Sequence, residues 1–452
     1  MRFSMCVLLL AAAAAAQTPA APGRGSGVVI FEGARLIGAG TAAPIEHGTL
    51  LVDNGRIVRV AASPGEVKAP AGARRVDLTG KTVMPALVDT HVHLGYQVGT
   101  AFSAENYTRE TLLDQLNRYA YAGVAAVLSL GTDPGALPSQ IRQDQKAGRA
   151  GGARLLTAGR GIAAPNAGPG TPELKASAYG VATDADARRT VREQVAQQVD
   201  FIKIWVDDRN GSVQKLSPAL YRAVIDEAHS HKTRVIAHVF YLDDAKDLVR
   251  AGVDGFAHLV RDKEADAELV SLIKSRGVFV MPNLAISENG VHASPPPWLD
   301  DPLLRETSPA DVIDRVRGSF ARRAPDAVER SKTTYAGMQR TLAKLNAAGV
   351  TIVLGTDDGA VRDHFYAYTA HRELRLMVEA GMSPAQVLAA ATRTAAGVLR
   401  LTDLGGLEAG KRADFLVLDA NPLDDIANTT KIAAVYHDGV ALDRTTIRSA
   451  FR

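Results

Sequence analysis

The chain has 452 residues, with 52 Lys+Arg against 49 Asp+Glu for a formal charge of +3; 46% of residues are hydrophobic and 22% charged. These values exclude a disordered, collagen-like or coiled-coil chain and leave ample material for a large core. Lys and Arg are scattered among acids with no basic run, so nucleic acid is not the expected partner.

Residues 1–16 begin with Arg2 close to the start, pass through Val7-Leu8-Leu9-Leu10 and end in a run of alanines before Gln17. This is the cationic, apolar and small-residue order of a cleavable signal peptide, with about half of the ~20 apolar residues needed to span a bilayer. It predicts a periplasmic or secreted protein without a stable membrane anchor. Cys6, the single cysteine, lies in that segment. The mature chain then has no thiolate, and any metal site must use His and carboxylate groups. Residues 17–26, rich in Pro, Gly and Ala, read as a linker.

Residues 27–82 contain short strand-like runs at 28–31, 48–52 and 57–60, with a turn at Asp53-Asn54-Gly55. Residues 405–452 have the same character at 414–418 and 432–436, with a turn at Asp438-Gly439. Neither piece can form a core alone. Together they are expected to make a small β-sandwich subdomain from both chain ends.

Between them, 83–404, apolar runs recur at 83–93, 123–131, 153–161, 199–206, 234–240, 253–260, 277–283 and 350–356. Segments of helical length separate them, one opening with Ser217-Pro218, a helix-start signal. Eight such units predict an α/β fold of the (β/α)8 TIM-barrel type. An open doubly wound sheet would need a Gly-rich turn after its first strand, and His91-Val92-His93-Leu94-Gly95 is not one. Two connections, 163–186 and 284–331, are long enough to be lids, substrate walls or plain surface insertions.

Polar residues end these apolar runs. His91 and His93, two apart on a strand, share one face. His238, His258 and Asp357 end the fifth, sixth and eighth runs. All five fall on the face where such barrels build their sites, and the set suits zinc or a similar divalent ion. By contrast, His229 and His231 fall at a helix end, where residues two apart differ by about 200° and cannot share an ion. His47 and His437 are expected at solvent-facing turns and His371 on a helix surface. Lys203 sits inside the apolar run Phe201-Ile202-Lys203-Ile204-Trp205. A lysine there snorkels to the barrel mouth, pairs with an acid such as Asp207 or Asp208, or loses its proton and adds carbon dioxide as a carbamate able to bridge two cations. Tyr241 and Arg261, just past strand ends, and His364, after Asp357, are candidate substrate contacts.

Met84-Pro85-Ala86-Leu87-Val88-Asp89-Thr90-His91-Val92-His93, Asp200-Phe201-Ile202-Lys203-Ile204, His238, His258 and Gly355-Thr356-Asp357 resemble the amidohydrolase superfamily. The likeness extends to Gly410-Lys411-Arg412-Ala413-Asp414-Phe415 and is similar to the imidazolonepropionase-like and Xaa-Pro dipeptidase branch. It implies a metal-dependent hydrolase cleaving a carbon–nitrogen bond of a small amide, dipeptide or N-acyl amino acid. It also implies two divalent ions, zinc by preference: His91, His93 and Asp357 on one, His238 and His258 on the other, carboxylated Lys203 and a hydroxide between them. Asp357 would be the catalytic proton carrier. Imidazolonepropionases resemble this chain but look mononuclear and lack the strand-four lysine. Val239-Phe240-Tyr241 departs from the branch's small residue–His–Gly pattern after the strand-five histidine. A mononuclear cyclic-amide hydrolase or deaminase, a lactone or ester hydrolase, and a non-catalytic binding protein are the alternatives. Assembly into a homo-oligomer is left open.

Overall fold

The structure is a computed structural model that describes residues 27–38, 43–63, 65–68 and 70–451. The expected signal peptide and linker lie outside the described residues. No described helix is long and apolar enough to cross a membrane.

Parallel strands alternate with helices through the middle of the chain. Leu87–Val92, Val124–Ser129 and Arg154–Thr157 form one sheet, with Val124–Ser129 at its centre. Gly161–Ala163, Phe201–Val206, Arg234–Val239, Gly255–Ala257 and Phe279–Met281 are consecutive neighbours in a second. Isolated parallel bridges from Ile352 to Val280 and from Asp358 to Val92 connect the far edges of the two sheets. The chain from 352 to 358 thus lies between the seventh and first strands. Side chains from one face of the strands, among them Val88, Leu128, Phe201, Ile236, Phe279 and Met281, meet in an apolar interior cluster. The opposite faces pack on the surrounding helices in a larger one.

Local sequence accounts for the helix ends. Ser217 accepts from Leu220 N and Pro218 occupies the first turn of Pro218–Ser230, as its sequence predicts. Gly252 and Gly277, at φ 96° and 67°, close the helices Leu242–Ala251 and Ala267–Arg276 in the left-handed conformation that glycine adopts at low cost.

Strands from both chain ends pair in one eight-stranded sheet. Phe415–Leu418 lies antiparallel between Thr82–Pro85 and Ile432–His437, and Val28–Leu36 carries the amino-terminal hairpins. Phe31 meets Phe415 edge-on at 5.1 Å, and Phe415 stacks on Tyr436 at 4.7 Å.

Several expected elements differ in detail. The run 83–93 divides: Thr82–Pro85 joins the chain-end sheet and Leu87–Val92 the parallel one. The division falls at Ala86, whose N–H is taken by Asp414 O. The run 350–356 makes bridges but no continuous strand. The connection 163–186 contains the strand Ala178–Gly180, paired with Gly161–Ala163. The connection 284–331 is largely helical, including Pro302–Thr307 and Ala310–Ser319.

Candidate metal centre

Strand ends bring His91, His93 and Asp357 together. His91 Nε2 and His93 Nε2 are 3.2 Å apart, and each is 3.0 Å from Asp357 Oδ1. All three residues are buried. Two imidazole nitrogens and a carboxylate oxygen this close together are the donor types that zinc and similar divalent ions take. The donor set therefore fits a divalent cation. Among the described residues this is the one group of three or more His, Cys, Asp or Glu side chains whose ligand atoms all lie within 4.8 Å of one another.

The supports of the triangle are polar groups at neighbouring strand ends. His91 Nδ1 faces Asn283 Oδ1 at 3.1 Å and His93 Nδ1 faces Thr132 Oγ1 at 2.9 Å. Asp89 accepts from His91 N, Thr356 N and Thr356 Oγ1, tying the first strand to the turn that carries Asp357. Asp357 itself has φ 64°, and its N–H bonds to His91 O at 2.8 Å. Asp358 receives Tyr119 OH and Ala367 N on Oδ2. Burial pushes the Asp358 carboxyl up to about 7. Space is tight at Gly355: a Cβ there would lie 3.0 Å from His91 Cβ and 3.1 Å from Met281 Cβ.

His258 borders this group, with Nε2 3.9 Å from Asp357 Oδ2, and its buried Nδ1 has no hydrogen-bond partner. The His238 ring lies 4.5 Å from that of His258. Its Nε2, however, stands 3.3 Å from Asp207 Oδ2 and 3.3 Å from Arg261 Nη2. Burial lowers both His91 and His238 to about 4, so both rings are neutral at ordinary pH.

Lys203 is 1% exposed in the middle of Phe201–Val206, and burial pushes its ammonium down to about 7. Its stem packs on Gly131, where a Cβ would lie 2.6 Å from Lys203 Cγ. The aspartates expected to pair with it are engaged elsewhere: Asp207 with His238, Asp208 with Tyr241 and Lys215. Arg261 lies over the Phe240 ring at 4.8 Å, and its buried Nε has no hydrogen-bond partner. Tyr241 OH donates to Asp208 Oδ1 at 2.6 Å. His364 Nδ1 accepts Gly359 N and lies 3.7 Å from Asp358 Oδ1.

The remaining histidines divide. His229 and His231 bond to different acids, Asp254 and Glu227, as their helical spacing predicts. His371 is not on a surface: it is fully buried, with Nε2 2.9 Å from Ala122 O, because its helix face packs on the core. His437 ends a strand, half-buried, instead of lying in a solvent-facing turn. Asn283, Thr132, Asp89, Asp358 and Tyr119 were missed as site residues. Asn283 carried a usable signal, a polar residue just past the apolar run Phe279-Val280-Met281, like those that revealed the histidines.

The amidohydrolase family model matches residues 82–442, so the chain belongs to the amidohydrolase family, whose members are metal-dependent hydrolases of carbon–nitrogen bonds. A Bifidobacterium longum protein provisionally named a prolidase is 28% identical, with a TM-score of 0.73 over 94% of this chain and 98% of that one. A Xaa-Pro dipeptidase solved with methionine in its active site shares the fold, with a TM-score of 0.74 at 22% identity over 92% and 99% of the two chains. The imidazolonepropionase of Shouchella clausii is 27% identical over 456 aligned positions, 93% of this chain and 87% of that protein.

Proposed function

We propose that the protein hydrolyses an amide bond of a small carboxylated substrate, a dipeptide or an N-acyl amino acid, using two zinc ions. The observation that carries the reading is the convergence of three ligand atoms at 3.0–3.2 Å on buried strand ends. His91, His93 and Asp357 would hold one ion, and His238 with His258 the other. Lys203 would join them as a carbamate: its neutral amine adds carbon dioxide at nitrogen and releases one proton. The burial of Lys203 inside the strand Phe201–Val206 supports that step, because burial favours the uncharged amine. Bound divalent ions supply polarisation of the scissile carbonyl and lower the pKa of water from 15.7 to about 7.

The residues of the chain then divide the work. Asp357 takes the proton of the attacking water and passes it to the leaving nitrogen as the carbon–nitrogen bond breaks. Its Oδ2, at 3.9 Å from His258 Nε2, is the oxygen not in the three-atom cluster. Arg261 offers a buried guanidinium for the substrate carboxylate, with Tyr241 and His364 as further substrate contacts. In this reading the eight parallel units close as a (β/α)8 barrel over 83–404, and 27–82 with 405–452 make the β-sandwich subdomain. The amino-terminal segment directs the chain to the periplasm or exterior, so exported protein should begin at Gln17 by mass spectrometry.

One observation favours a second reading with a single ion: His238 Nε2 faces Asp207 and Arg261. Metal-depleted protein reloaded with zinc, counted for metal and assayed on Xaa-Pro dipeptides and N-acyl amino acids, separates them. Two ions per chain with zinc-dependent amide cleavage supports the binuclear reading, and one ion supports the other. Zinc uptake without any turnover on amides, lactones or esters would leave only a binding protein.

A further inference from the structure

We propose that Asn283 is a positioning residue that decides which nitrogen of His91 is open to a cation and holds His258 in register beside it. The inference rests on the metal-holding role of His91 given above, and begins with an amide whose orientation is fixed by its neighbours. Asn283 is fully buried just past the end of the Phe279–Met281 strand. One atom of its side chain lies 3.1 Å from the backbone nitrogen of His258. That N–H, shared with Met281 O at 3.0 Å, can only donate. The side-chain atom facing it must therefore be the carbonyl oxygen and not the NH2 group.

The same oxygen lies 3.1 Å from His91 Nδ1. An amide oxygen only accepts, so His91 Nδ1 must carry its proton. A neutral imidazole protonated at Nδ1 has its lone pair on Nε2, and Nε2 is the atom 3.0 Å from Asp357 Oδ1. One side chain thus sets the tautomer of a ligand on the first strand and the backbone position of a histidine on the sixth. The Asn283 backbone, at φ 50°, adopts a conformation that Asn, Asp and Gly tolerate and most residues do not. This narrows the residues able to stand there to those with a short acceptor or none.

The test uses Asn283→Asp, which keeps the acceptor and the backbone tolerance, and Asn283→Gly, which keeps only the tolerance. Zinc is titrated into metal-depleted full-length protein against a chromophoric chelator. Asn283→Asp should retain wild-type affinity, and Asn283→Gly should lose about 10–100-fold, as expected when a ligand's supporting hydrogen bond is removed. Nitrogen-15 NMR of histidine-labelled, metal-depleted protein should show His91 protonated at Nδ1 in wild type and Asn283→Asp, with mixed tautomers in Asn283→Gly. Wild-type affinity in a folded Asn283→Gly, or an equal loss in Asn283→Asp, overturns the proposal. Should Asn283→Gly fail to fold, Asn283→Asp and the wild-type tautomer decide alone. If wild-type protein binds no zinc, the metal reading falls, while the NMR still reports whether Asn283 sets the tautomer.

Discussion

Asp357 meets two demands with its two oxygens: Oδ1 sits with the histidine nitrogens while Oδ2 stands apart from them. Replacing it by Asn keeps its size and one carbonyl oxygen but removes the base of the proposed mechanism. Asp357→Asn is expected to lower kcat by about 10²–10⁴-fold with little change in the circular dichroism spectrum, and steady-state kinetics beside a thermal melt check this. Lys203 allows a separate prediction, because its stem fills space against Gly131. Lys203→Met keeps the packing and loses the amine, so on the proposed binuclear reading the metal content should fall from two ions per chain to one. Elemental analysis reads it directly. A variant still holding two ions would remove the carbamate from the account. The histidines and Lys203 were legible in the sequence because each interrupts an apolar strand, where an unpaired polar group is expensive. The direction in which His238 turns was not legible, since it depends on Asp207 and Arg261 from two other strand ends.

At the scale of elements, the short helix Leu284–Glu288 starts the inserted segment directly after Asn283. Glu373, from the helix Tyr368–Glu379, receives Leu284 N and Ala285 N on its two oxygens at 2.8 and 2.7 Å. Burial nonetheless pushes its carboxyl from 4.5 up to about 8. The folded value is raised, so this group's stabilisation is complete below about pH 4.5 and is lost as pH rises through about 8. Glu373→Gln cannot ionise and should therefore show a smaller loss of stability between pH 5 and pH 9. It should be less stable at pH 5 by about 1–3 kcal/mol, because an amide NH2 then faces a backbone donor. Urea unfolding of both proteins at the two pH values measures each effect. The helical content of 284–331 was hidden in its sequence by prolines and short apolar runs, which mark turns and helix starts alike. Packing against Tyr368–Glu379 decides between them.

Across the whole molecule, the chain ends close on each other through Phe415–Leu418. Phe415 is fully buried between Phe31 and Tyr436. Phe415→Ala should cost about 3–5 kcal/mol of stability while zinc affinity stays at the wild-type value, since Phe415 packs in the apolar cluster of the chain-end sheet and not on the strands that carry the site. Denaturant unfolding paired with the zinc titration tests the separation. The sequence by itself determined the alternating βα order, the pairing of two strand-like ends that could not stand alone, and the polar residues that end buried strands. Each follows from local hydrophobic periodicity and the cost of burying polar groups. Only the tertiary structure decided where the first apolar run divides, which faces of His371 and His437 are covered, and which neighbours orient the histidines. Those outcomes depend on contacts between residues hundreds of positions apart, such as Thr82 with Leu418 and His91 with Asn283, and no local pattern encodes them.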